Sequence, residues 1–204
     1  MRIEKYKITK LENGKNLFFI SDTHFNHANI INLANRPFKD VLEMNKILIE
    51  NWNKTVSKHD TVFMLGDFCF GQASVWQNIL SQLNGEKILI LGNHDYKRFH
   101  GSLERFFTAV VDRLEIKIGD QKIVLDHYPG VTWSGAFKGS WQLYGHIHEK
   151  DFEQAKPTQY NVGVERNNYS PISFKDVEAI IKYQIENNMI NLTKEKWDTI
   201  QISQ

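Results

Sequence analysis

Polar side chains that can bind metal ions follow five apolar segments of this 204-residue chain. In chain order, the polar clusters are Asp22-Thr23-His24, Gly66-Asp67, Gly92-Asn93-His94-Asp95, Asp126-His127 and Gly145-His146-Ile147-His148. Imidazole mixed with carboxylate and amide oxygen suits transition metals such as Mn, Fe and Zn better than it suits Ca. The residue types therefore indicate a transition-metal centre.

The number of candidate ligands indicates two metal ions rather than one. The candidates are Asp22, His24, Asp67, Asn93, His127, His146 and His148. One ion cannot use this many ligands of this kind, whereas two ions that share a bridging carboxylate can. Two ions about 3.5–4 Å apart clamp the attacking and leaving oxygens of a phosphoryl displacement. The pattern therefore favours phosphoryl chemistry.

Strands must bring these clusters together, because the clusters are far apart in the sequence. Ligands of open α/β sheets bind beyond the carboxyl ends of the strands, and the apolar runs before the clusters predict such strands. Asp22 and His24 are two residues apart, so extended backbone would point both to one side, and the same holds for His146 and His148. A glycine directly before three of the clusters would allow their loops to approach closely.

The remaining pattern predicts an α/β fold. Strands are predicted over residues 3–8, 16–20, 61–65, 87–91, 115–118, 122–125, 141–144 and 160–164. Helices are predicted over residues 41–52, 73–83 and 174–187, with Asp40 capping the first and Ser173 the third. Asn13-Gly14 is typical of a hairpin turn, which predicts that the first two strands pair. Helices alternate with strands in the first half and strands dominate the middle, which favours an α/β sandwich with mixed sheets.

Composition excludes several classes of protein. Lys and Arg number 25 and Asp and Glu 24, so the chain lacks the basic excess of a protein that binds long duplex nucleic acid by bulk charge. Apolar residues make up 41%, too many for a disordered chain. No apolar run approaches the ~20 residues needed to cross a bilayer, and the N-terminus lacks the apolar core of a signal peptide. With Cys69 as the single cysteine, we expect one cytoplasmic domain, residues 1–204, without a membrane partner.

Taken in order, the five clusters resemble the signature of the calcineurin-like metallophosphoesterase superfamily. That signature is D-x-H, GD, GNH[DE], a lone His and GHxH, and all five blocks are present between Asp22 and His148. The stretch from Ser21 to Phe38 is similar to a small bacterial and phage branch of single-domain proteins. The resemblance implies a four-layer α-β-β-α sandwich with two mixed sheets and a dimetal site at the carboxyl ends of the strands.

The resemblance also implies a role for each residue. One metal would take Asp22, His24, Asp67 and His148, and the other would take Asp67, Asn93, His127 and His146, with Asp67 bridging. A water between the metals would lose a proton and attack phosphorus in line. His94 would not bind metal but would protonate the leaving oxygen, and together with Asn93 it would stabilise the phosphoryl oxygens. Asp95 would either orient His94 or cap the next turn.

Substrate contacts are open at this level. His27 could face the same cleft or have only a loop role. Arg36 could bind phosphate through its guanidinium or form a surface ion pair. Four aromatic residues between the last two blocks could stack a nucleobase or pack within their own loop: Tyr128, Trp133, Phe137 and Trp141.

The favoured substrate is a small phosphodiester, such as a nucleotide or a cyclic diester, and a phosphomonoester is the alternative. Protein serine/threonine phosphatases usually carry a second aspartate three residues after the GD aspartate, where this chain has Phe70. A catalytically silent binding scaffold of the same fold is a further alternative, although every position expected in an active enzyme is intact. The last alternative is an enzyme that uses the same metals to hydrolyse a bond that does not contain phosphorus.

Overall fold

Two five-stranded sheets form the frame of the protein. The computed structural model describes residues 3–8 and 16–202 of the chain. The strands are β1 (Ile3–Ile8), β2 (Leu17–Ile20), β3 (Thr61–Met64), β4 (Glu86–Ile90), β5 (Ala109–Val111), β6 (Arg113–Ile118), β7 (Gln121–Leu125), β8 (Trp141–Tyr144), β9 (Gln159–Asn161) and β10 (Ile172–Ser173). The α-helices are α1 (Ala28–Leu33), α2 (Val41–Thr55), α3 (Ala73–Leu80), α4 (Phe174–Glu186) and α5 (Lys194–Ile202).

Both sheets are mixed, as the sequence predicts. The first sheet has the order β10-β2-β3-β4-β5, in which β2 to β5 are parallel and β10 is antiparallel to β2. The second sheet has the order β1-β6-β7-β8-β9 and is antiparallel between β6 and β7. The polar clusters follow β2, β3 and β4 of the first sheet and β7 and β8 of the second. Each cluster therefore leaves its sheet at the carboxyl end of a strand that has a parallel neighbour.

The first sheet is buried on both faces. Along β3, Val62 and Met64 join an apolar cluster with the outer helices α1 to α3, whereas Phe63 joins the core between the two sheets. Successive side chains of a strand point to opposite faces, which explains why every residue of β3 is buried. Buried residues of α4 and α5 also join the core between the sheets. The predicted α/β fold with two mixed sheets is thus confirmed.

The predicted helix caps form at two helices. The Asp40 carboxylate accepts the N–H of Glu43 at 2.8 Å, and the Ser173 hydroxyl accepts the N–H of Asp176 at 3.1 Å. Helix α3 ends at Leu80, three residues before the predicted end. The sequence pattern did not predict α1, α5, β5 and β10, which are short or weakly periodic. Within the part of the chain that the structure describes, no helix combines the length and apolar character that crossing a membrane requires.

The predicted hairpin between the first two strands is wrong. β1 pairs in parallel with β6 in the second sheet, whereas β2 lies between β3 and β10 in the first. Asn13 and Gly14, which carried the turn signal, lie outside the described residues. A strand such as Leu17–Ile20, apolar at every position, needs neighbours in a sheet covered on both faces. The alternating charges of Ile3–Ile8 suit the edge position that β1 occupies.

Candidate metal centre

Backbone hydrogen bonds tie the loops after the five strands to one another across the two sheets. The N–H of Asp22 donates to the carbonyl of Gly66 at 3.0 Å, which joins the loops after β2 and β3. The N–H of His146 donates to the Asp22 carboxylate at 2.9 Å, which joins the second sheet to the first. These contacts fix the relative positions of residues that are more than 100 positions apart in the sequence.

The cluster has two groups of possible metal ligands. One is Asp22, His24 and His148, and the other is Asp67, His127 and His146; in each group the ligand atoms lie within 4.8 Å of one another. Asn93 adjoins the second group, because its Oδ1 lies 3.0 Å from His127 Nε2. The structure therefore brings together all of the side chains that the sequence analysis selected as ligands.

Asp67 lies between the two groups. Its Oδ2 is 3.6 Å from Nε2 of His24 in one group and 3.5 Å from Nε2 of His127 in the other. Its Oδ1 accepts the backbone N–H of His94 at 2.9 Å. A carboxylate in this position can face two cations at once, which is the geometry that a bridging ligand requires.

The unpaired nitrogens of His24 fit a bound cation. The ring is 1% exposed, and neither Nδ1 nor Nε2 has a hydrogen-bond partner among the described residues. Burial holds the pKa of His24 well below its ordinary value, so the ring is neutral. Leaving a buried polar atom unpaired costs about 1–3 kcal/mol, whereas a divalent metal accepts the lone pair of a neutral imidazole. The donor set of the cluster thus fits transition-metal ions.

Two further histidines are oriented by hydrogen bonds at Nδ1. His127 Nδ1 lies 2.7 Å from the carbonyl oxygen of Leu65, and His148 Nδ1 lies 2.9 Å from Glu165 Oε1. An oxygen partner at one ring nitrogen fixes the tautomer and leaves the other nitrogen free to bind a metal. Both Nε2 atoms therefore remain for the cluster.

The pKa values of the cluster show how closely its charges are packed. Burial raises the pKa of Asp22 above its ordinary value. For Asp67 burial acts in the same direction, but the hydrogen bond and charge of His127 outweigh it and lower the pKa. Burial would lower the pKa of His127, yet its contacts with Asp67 and Asp22 raise it to about 9. Without a metal, His127 supplies the positive charge that compensates the two carboxylates.

Five of the candidate ligands have left-handed backbone conformations, which corrects the prediction of extended backbone. The residues are Asp22, His24, Asp67, His146 and His148, with φ between 47° and 73°. Such φ values are uncommon outside glycine and cost on the order of 1–3 kcal/mol each, a form of strain that concentrates at functional sites. Asp22 and His24 still reach the same cluster, and so do His146 and His148, which join different ligand groups. They reach it through tight turns after the strand and not through an extended backbone.

Close packing of the loops explains two of the glycines that precede the clusters. A Cβ at Gly66 would lie 2.5 Å from the backbone of Gly92, and a Cβ at Gly145 would lie 2.0 Å from Ser21 Oγ and 2.4 Å from Asp22 Oδ2. Real Cβ atoms do not approach other atoms so closely. The glycines therefore permit the loop contacts that the sequence analysis expected.

Gly145→Ala is expected to destabilise the fold by about 1–3 kcal/mol, the usual cost of overpacking. The new methyl group would displace Ser21 and the Asp22 carboxylate. Gly101→Ala is the matched control, because a Cβ there meets nothing within 4 Å. Thermal unfolding of both variants tests this, and equal stability of the two would contradict the close packing.

His94 is placed at the solvent-facing side of the cluster. Its side chain is 41% exposed, and its Nε2 lies 3.9 Å from Asp67 Oδ2. The His94 and His24 rings meet at 5.4 Å between centroids, nearly edge to face. The imidazole can therefore reach both the cluster and a ligand that enters from solvent.

Asp95 differs in its contacts from Asn93 and His94, the two neighbouring residues that are expected to act on the substrate. Its buried carboxylate accepts the backbone N–H groups of Asp67 at 2.7 Å, Phe68 at 3.0 Å and Gly92 at 2.9 Å. Burial raises the pKa of Asp95 to about 6. The carboxylate joins the loop after β3 to the loop after β4. These are the contacts of a positioning residue, and they differ from both roles considered for Asp95 in the sequence analysis, orienting His94 and capping the next turn.

Arg36 presents its guanidinium neither to the cleft, as the phosphate contact would require, nor to the surface, as the alternative ion pair would. The side chain is fully buried and pairs with Glu165 at 2.7 Å. The same guanidinium donates to the carbonyl oxygens of Asp22 at 2.6 Å and Thr23 at 2.9 Å. Its donors are therefore used to hold the loop that carries Asp22 and His24.

Glu165 is a residue of this site that the sequence analysis missed. It lies in a 3-10 helix at Val164–Arg166 and connects His148 Nδ1, at 2.9 Å, with Arg36. A carboxylate that accepts from a metal-binding histidine orients the ring and raises its basicity. The sequence carried no signal for this role, because Glu165 stands outside the five clusters.

Glu165→Gln is expected to weaken metal binding by about 10–100-fold at the group that contains His148. The amide preserves the shape but removes the charge that His148 and Arg36 share, so the variant also loses stability by up to about 3–5 kcal/mol. Calorimetric metal titration and thermal unfolding measure the two effects. Glu153→Gln, at an exposed position, is the control. A metal titration identical to that of the unmodified protein would exclude the orienting role.

His27 lies at the edge of the cluster in a stack of side chains. Its ring packs on Phe70 at 3.7 Å between centroids, with 10° between the planes. The Arg98 guanidinium lies 3.9 Å from the centroid of Phe70, on the opposite face, and its N–H donates to the carbonyl of His94 at 2.8 Å. Phe70 thus takes the place of the phosphatase aspartate and forms part of the wall beside His94, with the ring centroids 5.0 Å apart.

One of the four aromatic residues proposed for base stacking reaches the cluster. Tyr128 is 43% exposed, and its ring lies 5.0 Å from His127 and 4.7 Å from His146. Trp133 and Trp141 are buried, and Phe137, although exposed, packs near Lys156. The loop that contains Trp133 therefore packs mainly on itself, and Tyr128 is the residue that a base could contact.

Comparisons with known proteins agree with this site. The sequence profile described as Calcineurin-like phosphoesterase superfamily domain matches residues 16–168. Uncharacterized protein MJ1445 of Methanocaldococcus jannaschii is 39% identical over 175 residues, which cover 82% of this chain and 92% of that protein. The Gene 66 protein of Mycobacterium phage D29 is 29% identical over 178 residues, covering 74% of this chain and 88% of that protein.

A solved structure shows the same arrangement of elements. The crystal structure of AQ665, a protein of unknown function from Aquifex aeolicus, superposes with a TM-score of 0.66 at 29% identity. The match covers 82% of this chain and 100% of that chain. The profile match, about three quarters of the chain, contains every residue of the two ligand groups. The chain therefore belongs to the calcineurin-like phosphoesterase superfamily, a family of metal-dependent phosphoesterases.

Proposed function

We propose that this protein is a phosphodiesterase that holds two divalent transition-metal ions, Mn, Fe or Zn, and hydrolyses a small nucleotide or a cyclic phosphodiester. The observation that carries this proposal is the buried His24, whose two ring nitrogens have no hydrogen-bond partner among the described residues and which lies in a cluster of carboxylates and imidazoles. Such a cluster is costly for a protein to keep empty.

The two groups define the proposed ligand sets. Asp22, His24 and His148 would hold one ion, His127, His146 and Asn93 would hold the other, and Asp67 would serve both. When bound, such ions lower the pKa of water and polarise phosphoryl oxygens. The protein fixes the ligands beforehand, through Nδ1 of His127 and His148 and through the Arg36 contacts to the loop after β2.

His94 supplies the proton for the leaving oxygen. Its backbone N–H is anchored on Asp67, while its ring is partly exposed toward the cleft. A general acid must reach the leaving atom to within hydrogen-bond distance, and the exposed ring edge permits this approach. The Asn93 side-chain amide, beside His127, is placed to donate to a phosphoryl oxygen. Asp95 holds the two loops in register.

A diester is favoured over a monoester by the surroundings of the cluster. A monoester carries an additional negative charge, and the cation expected to bind it, Arg36, is committed to Glu165 and backbone oxygens. A diester carries two substituents, and the cluster has surfaces for ring-sized groups on two sides. One is the cleft lined by His27 and Phe70, and the other is the exposed face of Tyr128.

The proposal is tested by an assay of the metal-reconstituted protein. We expect faster hydrolysis of bis-p-nitrophenyl phosphate than of p-nitrophenyl phosphate, followed by activity on cyclic or linear dinucleotides. Protein treated with a chelator is the control. Faster hydrolysis of the monoester would replace the diesterase with a phosphomonoesterase. No hydrolysis of any phosphoester by protein with both ions bound would favour the silent scaffold.

A further inference from the structure

A cleft of about 620 Å³ opens beside the candidate metal centre. Its lining includes the imidazoles of His24, His94, His146 and His148. Small-molecule sites usually measure roughly 300–1,000 Å³, so the cleft has room for more than a phosphoryl group. Any phosphoester held at the cluster would have this cleft open beside it.

Apolar side chains also line this cleft. Ile30 and Leu33 of α1 contribute to it together with Ala34, and Phe152 contributes from the loop after β8. Leu33 leaves 72% of its surface exposed. Covering apolar surface is favourable by about 25 cal/mol per Å², so a ligand with an apolar body gains free energy by covering Leu33. Three charged residues of the loop after β8 also line the cleft and can contact polar groups of the same ligand: Glu149, Lys150 and Asp151.

The aromatic wall of the same cleft is rigid. Phe70 is held between the His27 ring at 3.7 Å and the Arg98 guanidinium at 3.9 Å. Both His27 and Phe70 line the cleft. A flat group entering it therefore meets surfaces that are already in place, which reduces the entropy lost on binding.

We infer that this cleft binds the leaving group of the substrate, and that the leaving alcohol carries an apolar body of the size of an aromatic ring or a nucleobase. The inference rests on the proposed function. His94 gives the direction, because the oxygen that it protonates is the leaving oxygen and its ring lines the cleft. The alcohol attached to that oxygen would therefore lie in the cleft that His94 and Leu33 both line.

Matched esters separate the size of the leaving group from its chemical reactivity. Benzyl and ethyl alcohol are both primary alcohols of similar acidity, but benzyl alcohol adds an aromatic ring. We expect kcat/KM to be about tenfold higher for the benzyl ester than for the ethyl ester, the lower end of what an apolar pocket discriminates. Dibenzyl and diethyl phosphate serve for a diesterase, and the corresponding monoesters serve for a monoesterase.

Leu33→Ser should reduce this benzyl preference by about threefold to fivefold, because it removes part of the apolar surface from an open cleft. Leu42→Ser is the matched control, since Leu42 is 75% exposed but lies on α2 outside the cleft. The control should leave the preference unchanged. Equal rates for the two esters, or an equal effect of both substitutions, would overturn the inference and leave the proposed hydrolysis intact.

Binding of phosphonates gives a second measurement that does not depend on turnover. Calorimetry of the metal-loaded protein with benzylphosphonate and ethylphosphonate should show tighter binding of the benzyl compound, and Leu33→Ser should weaken that binding selectively. If no phosphoester is hydrolysed, the proposed function fails. The phosphonates then still test whether the cleft binds an apolar group. Equal affinities for benzylphosphonate and ethylphosphonate would overturn that part of the inference.

Discussion

Asp67→Asn is expected to remove both metal ions and to abolish hydrolysis. Asp67 Oδ2 lies within 3.6 Å of histidine nitrogens from both ligand groups, and an amide cannot supply a bridging anionic oxygen. The loss of metal affinity should exceed the roughly 10–100-fold that follows from removing a partner that only supports a ligand. Elemental analysis after dialysis against limiting metal, with an assay on the same sample, measures the effect.

The comparison with Asp22→Asn makes this prediction specific. Asp22 belongs to one group, so its substitution should mainly empty one position and leave the other ion bound. Asp120→Asn is the control for the change of carboxylate to amide, because Asp120 is exposed and pairs only with Lys117 in the described structure. If Asp67→Asn lost no more metal than Asp22→Asn, Asp67 would not be the bridge.

His94→Asn is expected to leave both ions bound and the fold unchanged but to slow the chemical step by about 10²–10⁴-fold, the usual contribution of a positioned proton donor. The backbone N–H that binds Asp67 is kept, so the cluster should not rearrange. His59→Asn, at an exposed position before the start of β3 and therefore at the opposite end of that strand from Asp67, is the control. Single-turnover kinetics on protein with measured metal content isolates the step.

The size of the loss should depend on the leaving group. p-Nitrophenol departs readily without a proton, so its ester should suffer less than an ester of an alkyl alcohol or a ribose. Equal losses for both would leave His94 as an electrostatic contact to the phosphoryl oxygens and not a general acid. Loss of metal from the variant would instead make His94 a ligand.

The side chains selected from the sequence come together in the structure, and the sequence could select them because each block is locally complete. An apolar run predicts a buried strand, and the polar residues after it are placed at its carboxyl end by the geometry of parallel sheets. Gly145 shows the same: it was selected as a close-approach glycine, and a Cβ there would lie 2.0 Å from Ser21 Oγ. Information within a few residues was sufficient for these predictions.

Residues that act through distant contacts could not be predicted in this way. Arg36 and Glu165 are 129 positions apart in the sequence and meet because Ser21 bridges to Gly163 beside the end of β2. A sequence pattern indicates which side chains are charged but not which of them are buried together. The same limit applies to β1, whose partner β6 lies more than 100 residues away.

The sequence pattern also did not predict the backbone conformation of the cluster residues. Spacing by two residues is compatible with an extended strand, but Asp22 and His24 have φ values of 56° and 47°. The hydrogen bonds from Asp22 N–H to Gly66 and from His24 N–H to Asp67 hold these turns. Asp and His adopt the left-handed region more readily than most other residues, but these tertiary contacts decide where they do so.

The central claim is that one chain holds two ions that share Asp67, and anomalous diffraction from crystals grown with saturating manganese tests it most directly. We predict two anomalous peaks about 3.5–4 Å apart. One peak should contact Asp22, His24 and His148 and the other His127, His146 and Asn93, with the Asp67 carboxylate between them. A single peak at full manganese occupancy, or a second peak away from these residues, would contradict the account.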